Sequence, residues 1–136
     1  MLCGFQESSR LRDMSDEKGL RDYARILLAL IRLVNGLAAL LVPGFLARQV
    51  GIDPDANPGA LYVFRMFGIR TVLLGAELLM QTGERRAEAL RRAVLIHASD
   101  TLAAYLATLS GNFPKRGKLI VWISATNTAL AVIASR

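Results

Sequence analysis

Six side chains able to hold charge or move protons lie inside stretches that are otherwise apolar: Arg32, Arg65, Arg70, Glu77, His97 and Asp100. A carboxyl group taken out of water and set beside an arginine is a tunable acid or base, and a histidine titrates near neutrality. Asp100 therefore reads as a proton donor or base with Arg70 as its partner. His97 or Glu77 would relay protons, and the arginines would stabilise developing negative charge. Arg65, Tyr105, Asn127 and Arg32 read as ligand contacts. The plainer alternative is that these groups are buried pairs fixing helix register, with no chemistry.

Other chemistries lack their residues. The 136 residues contain one cysteine and one histidine. That excludes an internal disulfide, a CxxC pair and a cysteine-based zinc site, so no metal and no cofactor is expected. No phosphate loop, HExxH, GxSxG or dinucleotide fingerprint occurs. The net charge is +6 and 53% of the residues are hydrophobic. The cations punctuate apolar segments rather than forming a stripe on a polar face, so the expected partner is an anionic membrane surface and not nucleic acid.

The elements that must position these groups are four apolar segments, at about 26–42, 60–80, 93–110 and 119–135. Each approaches the roughly 20 residues that a helix needs to cross a bilayer. The expected fold class is therefore all-α, a four-transmembrane-helix bundle over 23–136. Residues 1–22 read as a mobile or interfacial tail, with a helix start near Met14. VGIDPDANPG (50–59) reads as a loop, GERRAEALRR (83–92) as a basic connector or a helical continuation with an interfacial face, and GNFPKRGK (111–118) as a turn. Ten of the 17 Lys and Arg fall on the side of the termini and the 81–92 connector, against four on the other side. The positive-inside rule then puts both termini in the cytoplasm. A soluble four-helix bundle is disfavoured by the uncharged fourth segment with its flanking cations.

Depth follows from 1.5 Å of rise per residue. On that scale Arg32 and Glu77 lie at similar heights, as do Arg70 and Asp100, so two ion pairs are expected, Arg32–Glu77 and Arg70–Asp100, with snorkelling to the cytoplasmic interface as the alternative for Arg32 and Glu77. Arg65 has no acidic partner and reads as reaching the outer headgroups, with an anion contact in a pocket as the alternative. On the second segment Gly68, Thr71 and Gly75 form a stripe of small residues opposite Arg70 and Glu77, a surface for close helix approach.

At FRMFGIRTVLLG and HASDTLAAYLA the chain resembles the small four-helix membrane proteins of unknown function frequent in actinobacteria and found near secondary-metabolite genes. The pattern R-x-x-G-x-R-x-x-x-x-G on the second helix is matched by Arg65, Gly68, Arg70 and Gly75, and the aspartate of the third helix by Asp100. The likeness covers roughly residues 24–135. It implies a fold and a location, a bacterial plasma membrane, and no activity.

Two functions follow from the residues. The first is a multi-pass accessory protein or binder of a lipophilic small molecule, with membrane lipids around it and a homo-oligomer or larger complex as its assembly. The alternative is a cofactor-free membrane enzyme for isomerisation, cyclisation or epoxide opening, with Asp100 as acid or base. A minimal transporter ranks last, because no inverted repeat is evident.

Overall fold

In the computed structural model the backbone is described for residues 3–111 and 115–136, with side chains described for these apart from 3–9, 11 and 115. Among the described residues there are five α-helices and no strand: α1 (Cys3–Leu41), α2 (Pro43–Gln49), α3 (Pro58–Met80), α4 (Gly83–Leu109) and α5 (Lys118–Ser135). A single 3-10 turn, Lys115–Gly117, leads into α5. The segment read as a tail is helical from Cys3 and continues without interruption through Met14 into α1. The turn expected over 111–118 lies partly outside the described residues.

The breaks follow from proline and glycine. Val42 precedes Pro43, whose ring disfavours the helical conformation one residue upstream, and Val42 leaves it with φ −128° and ψ 52°. Pro43 then opens α2 and Pro58 opens α3, each at a position where the missing N–H is not needed. At the end of α2, Gly51 turns left-handed with φ 87°. Its N–H bonds the Arg48 carbonyl at 3.1 Å, and the Ile52 N–H bonds the Ala47 carbonyl at 2.9 Å. This double closure is the Schellman motif, for which glycine is the usual residue. Helix α2 was not anticipated in the sequence, because seven residues carry too little periodicity to separate a helix from a loop.

Helix α1 lies against α3 on one side and α5 on another, and α4 packs along α5, while α3 and α4 pack on each other less extensively. Close approach of α1 and α3 depends on glycine. A Cβ on Gly68 would sit 2.7 Å from the Gly36 carbonyl oxygen and the Leu40 nitrogen, and one on Gly36 would sit 2.9 Å from the Gly68 oxygen. The small-residue stripe thus seals α3 to α1 within one chain, and Gly68, Thr71, Gly75 and Leu78 are its buried face.

The apolar core occupies one end of the bundle, built from Ala24, Leu28, Ala29, Leu78, Leu90, Ala93, Ala131 and their neighbours. Elsewhere the usual pattern is inverted. Leu30, Val34, Leu73, Leu95, Leu102 and Trp122 are exposed, whereas Arg32, Thr71, His97, Ser124 and Asn127 are buried. Two helices are long and apolar enough to cross a membrane, α1 within Arg12–Leu41 and α5 over Lys118–Ser135. Helices α3 and α4 have the length, but Arg65, Arg70, Glu77, His97, Asp100 and the charged first turns of α4 lower their hydropathy.

Candidate functional site: a cavity with a buried arginine

Periodicity places the polar groups inward. On α4 the buried positions include Leu90, Ala93, His97 and Ala104, spaced by three, four and seven, so the histidine continues an apolar inner stripe. On α5 the buried positions Ser124, Asn127, Ala131 and Ala134 do the same. On α1 Arg32 shares its face with Leu28 and Ala39. Gly75 makes room for it, since a Cβ there would lie 3.1 Å from the Arg32 Cβ.

Arg32 is 2% exposed and donates from Nε to Nε2 of His97 at 2.7 Å. An arginine nitrogen can only donate, so His97 Nε2 accepts with its lone pair. The ring is then the neutral tautomer with its proton on Nδ1. No carboxylate forms an ion pair with Arg32 among the described residues, and its Nη2 is buried without a hydrogen-bond partner. Asn127, 6% exposed, likewise has its Oδ1 buried and unpartnered.

Both side chains line a cavity of about 490 Å³ bounded by all five helices. This is within the roughly 300–1,000 Å³ typical of small-molecule sites. Its walls are mainly apolar on the side of α2, where Leu46, Val50, Phe64, Phe67, Ile120 and Ile123 contribute. Towards the middle of the helices the lining turns polar, with Arg32, Asn35, Arg70, His97, Asp100 and Asn127.

The residues singled out in the sequence divide into two groups. Arg32, Arg70, His97, Asp100 and Asn127 line the cavity; Glu77, Arg65 and Tyr105 do not. Neither expected ion pair forms. Glu77 binds Arg92 of α4 at 3.1 Å instead of Arg32, because both sit at the outer edge where α3 and α4 connect. Arg70 is exposed and makes no ion pair with Asp100, although both face the cavity. Tyr105 is exposed and borders a shallower depression with Thr101 and Thr128. Arg65 is exposed on α3.

Asn35, Thr71 and Ser124 are polar lining residues absent from the candidate set, as are the aromatic Phe64 and Phe67. Their inward spacing was readable, but their types carry no distinctive chemistry. Two further polar contacts hold the frame. Arg25 donates to the Leu78 carbonyl at 2.7 Å, satisfying an acceptor in the last turn of α3. Thr101 and Thr128 join α4 to α5 at 3.2 Å. No group of three or more His, Cys, Asp or Glu among the described residues could hold a metal ion.

No protein-family model, curated protein or solved structure matches the chain.

Proposed function

We propose that this chain is a small integral membrane protein whose four long helices all cross the bilayer, and that it binds a lipophilic small molecule in the cavity between them. The observation that carries the reading is the cavity itself: apolar walls towards α2, and a polar end holding a buried arginine with an unpartnered nitrogen. A water-soluble protein gains little by burying Arg32, His97 and Asn127 while exposing leucine and tryptophan, but in lipid that arrangement is the favourable one. The cation distribution supports cytoplasmic termini. The likeness to the four-helix actinobacterial family agrees with this architecture.

Native mass spectrometry of the protein released from its host membrane tests the reading. A lipophilic adduct should accompany the wild type and be lost from Ile123→Trp, which fills the apolar half of the cavity. An adduct of equal abundance in both would contradict it.

One observation favours the catalytic alternative. Asp100 lines the cavity and is free of ion pairs among the described residues, so its carboxylate is available to a bound molecule. His97 is less suited to relaying protons than its position suggested, because its basic nitrogen is occupied by Arg32. Asp100→Asn should then abolish turnover of a lipophilic substrate while leaving folding intact.

A further inference from the structure

Resting on the reading of the cavity as a lipophile site, we infer that its ligand is a single-chain amphiphile bearing a carboxylate, which accepts hydrogen bonds from Arg32 and Asn127.

The head group follows from unmet needs. Arg32 carries a permanent charge, is 2% exposed and meets only a neutral imidazole at hydrogen-bond distance. A buried charge with no carboxylate at ion-pair distance among the described residues is costly, and an anion is what relieves it. Nη2 supplies the open donor. Asn127 supplies a second, because a half-turn of its amide exchanges oxygen for NH2 at the buried, unpartnered position. Two donors lining one cavity, from α1 and α5, suit the two oxygens of one carboxylate.

The charge count selects carboxylate over phosphate. Arg32, Arg70 and Asp100 are the charged lining residues, a formal surplus of one positive charge, with His97 neutral by its hydrogen bond. A carboxylate cancels that surplus. A phosphate monoester carries about −1.5 to −2 near neutrality and would leave excess negative charge beside Asp100. The tail follows from the walls. Leu46, Phe64, Phe67, Ile120 and Ile123 offer no hydrogen bond from their side chains, and about 490 Å³ accommodates one hydrocarbon chain and not the two of a bilayer lipid.

The test is competition for tritiated palmitate on the full chain in zwitterionic nanodiscs, with palmitate, methyl palmitate, hexadecanol and hexadecyl phosphate as competitors. Palmitate should bind about tenfold or more tightly than the ester and the alcohol, the range expected for a hydrogen bond to a charged group. Arg32→Gln should lose about tenfold or more of the palmitate affinity and leave methyl palmitate nearly unchanged. Asn127→Leu, which removes no existing hydrogen bond, should weaken palmitate selectively and serves if Arg32→Gln does not fold. Asp100→Asn should hold palmitate at least as tightly as the wild type. Equal binding of acid, ester and alcohol overturns the carboxylate inference but keeps the lipophile site. Tighter binding of hexadecyl phosphate, or loss of palmitate in Asp100→Asn, also overturns it. Binding of none of the four removes the lipophile reading and this inference together.

Discussion

Arg32 of α1 donates to His97 of α4 across 2.7 Å, although 65 positions separate them in sequence. One hydrogen bond therefore ties α1 to α4 and leaves the histidine ring neutral. Arg32 Nη2 remains buried without a partner.

Removing the acceptor should be costly. His97→Leu leaves Arg32 Nε unpartnered as well as Nη2, and is expected to lower stability by about 1–3 kcal/mol. His97→Gln retains an acceptor and should recover much of that. Denaturant titration in mixed micelles measures both, and equal stability of the two variants would show that the hydrogen bond contributes nothing. Nitrogen NMR of the wild type at neutral pH should report the proton on Nδ1.

The α1–α3 seam tolerates no added atom. Gly68→Ala puts a methyl group 2.7 Å from backbone atoms of α1, so the helices must separate, at a cost of about 1–3 kcal/mol. Gly59→Ala is the control, since nothing lies within 4 Å of a Cβ there. Thermal unfolding in detergent should separate the two, and indistinguishable melting would contradict the close approach.

Glu77 and Arg92 should matter little. Their side chains are 33% and 50% exposed, and such bridges contribute about 0–1 kcal/mol. Glu77→Gln is expected to leave both stability and ligand retention near wild type. A large loss of ligand would instead place Glu77 in the site.

The membrane orientation is testable by labelling. In a Cys3→Ser background, Asp53→Cys should react with an impermeant thiol reagent added outside intact cells. Ser135→Cys should react only after the membrane is opened. Equal reactivity of both from outside would contradict the three crossings, α3, α4 and α5, that separate them in this account.

That the chain is all-helical was legible from apolar runs broken by Pro43-Gly44 and DPDANPG, but the helix bounds were not: α1 begins at Cys3, and 83–92, read as a connector or a helical continuation, belongs to α4. The inward faces of the third and fourth segments were legible from spacings of three, four and seven, and so was the glycine seam of the second, but Arg70 is exposed. The pairing was not legible. Reasoning by opposite charge matched Arg32 to Glu77, and Arg70 to Asp100, whereas Arg32 Nε bonds a neutral imidazole and its Nη2 has no partner. Helix depth is a one-dimensional coordinate and cannot tell which neighbour lies across the bundle. The cavity was also invisible, since it depends on α3 and α4 packing less extensively on each other than α1 packs on α3. That is a property of the assembly and not of any segment.

The central claim is that the cavity is a ligand site whose polar end is Arg32 and Asn127. A crystal structure grown from a lipidic mesophase tests it most directly. Elongated density should fill the space beside Phe67 and Ile123, with its polar end at hydrogen-bond distance from Arg32 Nη2. A cavity closed by side chains, with Arg32 paired to Asp100 and Asn127 satisfied within the protein, would contradict it.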